Sequence, residues 1–365
     1  MHKLAGISGA NSVASSVASS GANSVASSGA SSVGGHAGSF LTGEEFSKKE
    51  IDQLLELADQ LKVERRRGIF RTQLAGKTLA LLFDKPSFRT KLSFTIAMQE
   101  LGGAVVESLA QDRKKEDPED LARVLNGYCH GIVLRTHEQS TLERMAKVSR
   151  FPILNGLSDT HHPCQILADL LTLKQKFENL SGLILTYLGD GNNILHSLLL
   201  LAPQMGIHLR YACPEDYQPD AAILKRALRK AEETKGSITS YSGASASRAL
   251  GASASGASCL AAGGPAEAAL GSHALYTDVW TSMGFESERT ARETAFQAYQ
   301  LNAALFAHTA PGAVIMHCLP MEKEKEITSE MANHSASVIF QQSENRLHLQ
   351  KALLCTLLVN ADSTY

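Results

Sequence analysis

Residues 82–94 of this chain read LFDKPSFRTKLSF, and with the residues before them they predict a strand, a turn and a helix. The apolar run at 78–83 is typical of a buried parallel strand. Pro86 ends that run, and Ser87 occupies the position of a helix N-cap. Apolar residues then recur at helical spacing, at Phe94, Ala97, Met98 and Leu101. The segment is therefore one unit of an α/β fold.

The same segment has the features of a phosphate site. A helix that follows a strand directs unpaired backbone N–H groups at one point. Here Ser87, Arg89 and Thr90 add two hydroxyls and a guanidinium, and Lys85 and Lys91 are close in sequence. These groups suit a phosphate dianion. Taken alone, the segment also fits a capped surface helix with ordinary basic residues.

Composition sets broad limits on function. At 365 residues the chain is expected to form about two domains, and its net charge of −2 gives no general attraction to nucleic acid or to a membrane surface. No apolar run is as long as a membrane span. The six cysteines are scattered and form no C-x-x-C pair, which favours a reducing compartment over a disulfide framework or a zinc site.

Residues 1–39 are expected to be a disordered tail. The sequence SGANSVASS at 8–16 recurs unchanged at 20–28, and residues 4–39 contain no Lys, Arg, Asp or Glu. Such a tract lacks the apolar surface that would offset its ordering entropy. We therefore expect a cytoplasmic protein. The alternative is the mitochondrial matrix, because the tail is Ser-rich and acid-poor like a transit peptide, although it lacks the arginines of one.

Strands alternate with helices along the rest of the chain. This order predicts an α/β fold with two doubly wound parallel-sheet domains, joined by long helices, and an active site in the interdomain cleft. The first domain should span 40–178 and be completed by a C-terminal helix within 345–365. The second should span 179–344, with a second Ser/Ala/Gly tract at about 242–264 as an exposed loop insertion.

Polar residues follow several predicted strands or begin a helix. His162 and Gln165 could donate hydrogen bonds to a carbonyl oxygen that gains charge, although a capping His and a solvated Gln are the alternative. Asp278 suits a substrate ammonium group, or else a helix N-cap. Because adjacent strand residues point to opposite faces, His317 is poorly placed as a base for Cys318. A proton acceptor or polar wall is therefore favoured over a hydrolase nucleophile at Cys318.

These clusters are expected to converge at one cleft, since the carboxyl ends of parallel strands lie at the same sheet edge. The converging residues are Arg89, Arg135, His162, Gln165, Asp278 and Cys318. The turn at 189–193 departs from the G-x-G-x-x-G spacing of dinucleotide sites, so no nucleotide cofactor is expected.

The motifs resemble those of the aspartate/ornithine carbamoyltransferase family. The family's Ser-Thr-Arg-Thr, Arg-Thr and His-Pro-x-Gln-x-Leu-Ala-Asp motifs correspond to residues 87–90, 135–136 and 162–169. The ornithine branch's Asp-x-x-x-Ser-Met-Gly, His-Cys-Leu-Pro and Glu-Asn-Arg motifs correspond to residues 278–284, 317–320 and 344–346. The resemblance runs from about residue 40 to residue 358, apart from the insertion.

The resemblance implies transfer of the carbamoyl group of carbamoyl phosphate to the δ-amine of L-ornithine, giving L-citrulline and phosphate. It implies no metal and no organic cofactor, and a homotrimer or a multiple of it. The alternatives are a carbamoyltransferase for another amine, such as putrescine, and a non-catalytic regulatory paralogue. Asp278, Ser282 and Met283 favour ornithine, because putrescine has no α-carboxylate.

The resemblance also implies residue roles. Carbamoyl phosphate would be held by Ser87, Phe88, Arg89, Thr90, Gln111, Arg135, His162, Gln165, Cys318, Leu319 and Arg346. Ornithine would be held by Asn193, Asp278, Ser282 and Met283. Arg135 and His162 would stabilise the oxyanion, and Cys318 would accept the proton of the δ-amine. Gln111 would reach into a neighbouring subunit's site. The chain departs from the family at Phe88, where a Thr is usual, and at Lys91, where an Arg is usual.

Overall fold

The first of two parallel β-sheets contains the strand of the segment at residues 78–94. Its strands are β1 (Thr78–Phe83), β2 (Ala104–Leu109), β3 (Gly131–Arg135) and β4 (Ile153–Leu157). They lie in the order β2-β1-β3-β4. The helices of this half are α1 (Lys48–Arg66), α2 (Phe88–Glu100), α3 (Pro118–Leu125), α4 (Gln139–Val148) and α5 (Pro163–Phe177). The computed structural model describes residues 38–109, 114, 116–241, 258–260, 263–281 and 285–360.

The second sheet is larger and also entirely parallel. Its strands are β5 (Ile184–Leu188), β6 (His208–Ala212), β7 (Ser237–Ser240), β8 (Ser258–Leu260), β9 (Ala274–Thr277) and β10 (Val314–His317). They lie in the order β10-β9-β5-β6-β7-β8. The helices that follow are α6 (Asn193–Leu201), α7 (Ala221–Glu232), α8 (Pro265–Ala269), α9 (Arg289–Phe296), α10 (Ala303–Phe306), α11 (Ser329–Ala332) and α12 (Ile339–Asn360). The predicted α/β fold with two parallel sheets is confirmed.

Two predictions about the Ser/Ala/Gly tracts are wrong at the ends of those tracts. Ser258–Leu260 was expected to lie in an exposed loop, but it pairs with β7 as the edge strand β8. Small Ser and Cys side chains carry little strand signal, so the pairing comes from the neighbouring strand. Ser39 was expected in the disordered tail, but its hydroxyl accepts a hydrogen bond from the Ile153 backbone N–H at 3.0 Å. Residues 1–37 and 242–257 lie outside the described residues.

Helix α12 connects the two halves. It begins at Ile339, earlier than the predicted C-terminal helix, and it packs against α1, α2 and α5 of the first half. Its buried residues Leu353 and Leu354 belong to one hydrophobic core that also includes Leu81 of β1 and Tyr187 of β5. The two sheets therefore share a core through the helices that join them. The helices of the described residues include none long and apolar enough to span a membrane.

The strand order opens a crevice at the carboxyl edge of each sheet. In the first sheet β2 lies on one side of β1 and β3 on the other, and in the second sheet the order reverses between β5 and β9. The loops that leave two such neighbouring strands diverge, and ligands bind at these switch points in open α/β sheets. The loops after β1, β3, β5 and β9 are those that carry the predicted site residues.

We predict that Leu353→Ala lowers the free energy of unfolding by about 2–5 kcal/mol, because it leaves a cavity in the core shared by α12 and the first half. Leu353 is fully buried, whereas Val359 on the same helix is 43% exposed. Urea unfolding followed by circular dichroism measures the change. Val359→Ala is the control and should stay within about 0.5 kcal/mol of the wild type. Equal losses in the two variants would contradict this account of the core.

Candidate active site between the two sheets

A cleft of about 1090 Å³ lies at the carboxyl ends of the two sheets. The predicted residues that line it are Ser87, Phe88, Arg89, Thr90, Arg135, His162, Gln165, Asn193, Asp278, Cys318, Leu319 and Arg346. The structure thus brings together side chains from both halves of the chain. Gln111, Ser282 and Met283 lie outside the described residues, so their assignments stay predictions.

One end of the cleft is positively charged. Arg135 at the end of β3 donates from Nη1 to Ser87 Oγ at 2.7 Å, and Arg346 of α12 donates from Nη2 to Thr90 Oγ1 at 2.6 Å. The Nε atoms of both arginines are buried and have no hydrogen-bond partner among the described residues. Burial, together with the charges of Arg346 and Arg89, lowers the pKa of Arg135 to about 10. Such a cluster of cations calls for an anionic ligand.

Helix α2 begins at this positive end without a side-chain cap. Ser87 occupies the N-cap position, as its sequence position predicts, but its side chain makes no capping hydrogen bond and instead accepts from Arg135. The first N–H groups of α2 are therefore left for a ligand. Phe88 is 76% exposed and lines the cleft with a ring instead of a hydroxyl.

His162 and Gln165 lie at the start of α5, beside the arginines. His162 makes no capping bond, and Gln165 is buried, so the alternatives of a capping His and a solvated Gln are wrong. Burial lowers the pKa of His162 well below its usual value, and the charges of Arg346 and Arg135 add to this effect, so its ring is neutral. Gln165 donates from Nε2 to Asp169 Oδ1 at 2.9 Å. Its Oε1 is buried without a partner among the described residues, so Gln165 offers an acceptor to the cleft, not the donor we expected.

The other end of the cleft holds a thiol and a carboxylate. Cys318 donates from Sγ to Asp278 Oδ1 at 2.9 Å, and Asn192 donates from Nδ2 to Asp278 Oδ2 at 2.9 Å. Burial raises the pKa of Cys318 well above its usual value, and the Asp278 charge adds to this, so the thiol is protonated at neutral pH. Asp278 follows β9 and caps no helix, which excludes the N-cap alternative.

The ring nitrogens of His317 contact partners other than Cys318. Its Nε2 lies 3.0 Å from Glu326 Oε1, and its Nδ1 accepts from the Leu319 backbone N–H at 2.9 Å. Possible metal-ligand atoms of Asp278, His317 and Cys318 lie within 4.8 Å of one another. Both ring nitrogens of His317 are engaged in hydrogen bonds, and the Cys318 thiol is bonded to Asp278 itself.

Some cleft residues were missed in the sequence. Asn192 orients Asp278 and also caps α6. It lies in the turn 189–193, whose spacing gave no indication of these roles. Asp190 in the same turn pairs with Arg292 at 2.8 Å. Burial raises the pKa of Asp190 to about 6, although Arg292 opposes the shift. Arg292 could not be predicted as a cleft residue from its neighbours in sequence, because its partner Asp190 is distant in sequence.

The chain matches two family models. The carbamoyl-phosphate-binding domain of aspartate/ornithine carbamoyltransferase matches residues 39–175. The aspartate/ornithine-binding domain of the same family matches residues 181–253 and 246–357. The two matches correspond to the two sheets and meet near the end of α5.

Curated proteins and solved structures give the same family. The ornithine carbamoyltransferase of Anoxybacillus flavithermus is 41% identical over 322 residues, covering 87% of this chain and 96% of the relative. That of Thermosynechococcus vestitus is 42% identical over 318 residues, covering 86% of this chain and 94% of the relative. The structure of the Pyrococcus furiosus ornithine carbamoyltransferase superposes with a TM-score of 0.79 at 37% identity, covering 88% of this chain and 96% of that one. The chain therefore belongs to the aspartate/ornithine carbamoyltransferase family.

Proposed function

We propose that this protein transfers the carbamoyl group of carbamoyl phosphate to the δ-amine of L-ornithine, producing L-citrulline and phosphate. The observation that carries the proposal is the pair of buried arginines, Arg135 and Arg346, whose Nε atoms have no hydrogen-bond partner among the described residues. A neutral histidine and the Cys318–Asp278 pair lie in the same cleft. Family membership and the names of the relatives support the same reaction.

The phosphate group binds at the positive end of the cleft. Arg89, Arg135 and Arg346 supply charge, while Ser87, Thr90 and the free N–H groups of α2 supply directed hydrogen bonds. This arrangement stabilises the phosphate more strongly as it departs, because its negative charge grows in the transition state. The missing hydroxyl at Phe88 removes one donor that the family usually provides.

The carbamoyl group lies between the arginines and α5. Attack by the amine forms a tetrahedral carbon whose oxygen becomes negative. Arg135 stabilises that oxygen by charge, and His162 does so with an imidazole N–H. Gln165 Oε1 accepts from the carbamoyl –NH₂, and the Leu319 backbone carbonyl accepts from it as well. These contacts orient the carbonyl carbon toward the amine.

The amine must lose a proton before or during attack, since a free alkylammonium has a pKa of about 10.4. Cys318 holds its own proton at neutral pH and donates it to Asp278. The neutral δ-amine attacks, and its nitrogen then becomes cationic. The thiol accepts a proton from that nitrogen as its own proton moves to Asp278 Oδ1, so the two residues act as a pair. The α-amino and α-carboxylate groups are assigned to Asn193, Asp278, Ser282 and Met283.

The direct test is a colorimetric citrulline assay with carbamoyl phosphate and L-ornithine, repeated with putrescine in place of ornithine. Citrulline formation with a much lower rate on putrescine supports the proposal. A higher rate on putrescine would make the protein a carbamoyltransferase for that diamine. No turnover of either amine would identify a non-catalytic paralogue.

A homotrimer, or a multiple of it, is part of the proposal. β2 is an edge strand of the first sheet, and its Val106 is 57% exposed. Phe88 and Leu92 of the adjacent α2 are also exposed, and Lys91 links α2 to β2 through an ion pair with Glu107. Exposed apolar side chains beside a free sheet edge suit a contact with another copy of the chain. Gln111 follows β2 in sequence and would reach the neighbouring subunit's cleft from there.

The proposed location is the cytoplasm, with the mitochondrial matrix as the alternative. Five cysteines are free thiols, namely Cys129, Cys164, Cys213, Cys318 and Cys355. Free buried thiols fit a reducing compartment.

We predict that Arg89→Ala abolishes citrulline formation, with at least a hundredfold loss of kcat/KM for carbamoyl phosphate, because it removes a charge that faces the departing phosphate. Its circular dichroism spectrum and melting temperature should stay close to those of the wild type. Lys91→Ala is the matched control, since Lys91 pairs with Glu107 and does not line the cleft. Near-normal turnover in Arg89→Ala would refute the phosphate assignment.

We predict that kcat/KM for ornithine rises with pH between about 6 and 8, because the reactive unprotonated fraction of the amine increases with pH. The raised pKa of Cys318 keeps its thiol protonated across this range, so the thiol does not produce the rise. Cys318→Ser should accordingly keep the upward slope while kcat falls about tenfold or more. A flat wild-type profile, with chemistry shown to be rate-limiting, would contradict the mechanism.

We predict that Val106→Asp shifts the wild-type trimer to monomers in sedimentation velocity, because a carboxylate would be buried without a partner at the contact. Val124→Asp introduces the same charge at another exposed valine, outside β2 and α2, and should leave the trimer intact. A wild-type protein that sediments as a monomer would overturn the oligomer proposal.

A further inference from the structure

A chain of buried hydrogen bonds links the end of β10 to Gln165. The His317 backbone N–H donates to Gln342 Oε1 at 3.0 Å, and Gln342 donates from Nε2 to Asp169 Oδ1 at 2.7 Å. Gln165 donates from Nε2 to the same Asp169 Oδ1 at 2.9 Å. Each of these four residues is at most 1% exposed. We call this chain, from the His317 N–H through Gln342 and Asp169 to Gln165, the relay.

The hydrogen bonds of the relay can run in only one direction when Asp169 is ionised. A backbone N–H can donate but not accept, so Gln342 must turn its oxygen to His317 and its nitrogen to Asp169. An ionised carboxylate can accept but not donate, so Gln165 must turn its nitrogen to Asp169. Gln165 Oε1 therefore faces the cleft, where it is buried without a partner among the described residues.

We propose that Gln342 and Asp169 are positioning residues that set the orientation of the Gln165 amide, so that its oxygen meets the carbamoyl –NH₂. This inference rests on the proposed carbamoyl transfer. A reversed Gln165 would place –NH₂ against –NH₂, and a buried donor without an acceptor weakens binding about tenfold or more. Neither Gln342 nor Asp169 lines the cleft, so both act through Gln165.

Asp169 also joins elements from both halves of the chain. It lies on α5, accepts from Gln342 of α12, and accepts at Oδ2 from the Tyr276 hydroxyl of β9 at 2.9 Å. The charged and titratable groups that face it are Arg346, Tyr276 and Cys318. Burial raises the pKa of Asp169 to about 7, so the carboxylate that the relay requires forms as pH rises through neutrality.

The variant Gln342→Glu tests the relay because it changes one group in a nearly isosteric way. Its carboxylate can still accept from the His317 N–H, but its second oxygen faces Asp169 Oδ1. Two carboxylates this close share one proton, which preserves the relay at low pH, and they repel when that proton is lost. Carbamoyl phosphate binding, measured by isothermal titration calorimetry without ornithine, should be within about threefold of wild type at pH 6.5 and at least tenfold weaker at pH 9.

Two further variants complete the design. Gln342→Met removes both hydrogen bonds and should weaken binding at least tenfold at pH 9, where wild-type Asp169 is ionised. Gln341→Glu is the matched control, because it introduces the same charge one residue away, where Gln341 donates to Gln175 outside the cleft. Its affinity should stay within about twofold of the wild type at both pH values.

The proposed positioning role is contradicted if Gln342→Met binds carbamoyl phosphate within twofold of the wild type at both pH values. It is also overturned if the affinity of Gln342→Glu relative to wild type is the same at pH 6.5 and pH 9. If Gln342→Met does not fold, the two-pH comparison on Gln342→Glu still decides. Wild-type citrulline formation is measured in parallel. Its absence contradicts the proposed function, whereas an active wild type with either overturning result contradicts the relay alone.

Discussion

Two buried arginines have no carboxylate partner among the described residues, and this constrains the fold around them. Arg135 and Arg346 are held by the hydroxyls of Ser87 and Thr90, and a buried charge that lacks a counterion costs several kcal/mol. The fold must provide that energy from its core. Helix α12 does so by returning from the second sheet to pack on α1, α2 and α5, which carries Arg346 into the cleft. A bound phosphate would supply a counterion for both arginines.

Charge is separated along the cleft in a way that fits two different ligands. Arg89, Arg135 and Arg346 lie at one end, and Asp278 lies at the other, where Asp190 is paired with Arg292. Neutral groups stand between them, since burial keeps His162 uncharged and Cys318 protonated. A dianionic phosphate donor and a cationic amine would therefore approach from opposite ends and meet at a carbonyl carbon in the middle.

The sequence predicted the bounds of an element that is buried along its whole length. It did not predict the bounds of elements that depend on tertiary contacts. β1 has the predicted bounds, because an apolar run covered on both faces is visible in the residues themselves. β8 was missed, because its small residues form a strand by pairing with β7. Helix α12 begins before its predicted start, because its polar first turns are stabilised by partners such as Asp169 and Lys62.

The sequence by itself determined which reactive groups follow which strands, and hence the family, the cleft and its charged ends. Tertiary structure decided what each group does there. The Ser87 hydroxyl accepts from Arg135 instead of capping the helix, and the Cys318 thiol donates to Asp278. The Gln165 nitrogen donates to Asp169, which leaves the Gln165 oxygen facing the cleft. Cys318 and Asp278 are 40 positions apart, and Gln342 and Asp169 are 173 apart. The spacing of residues along the chain does not predict such pairs, because their geometry arises when the two sheets pack.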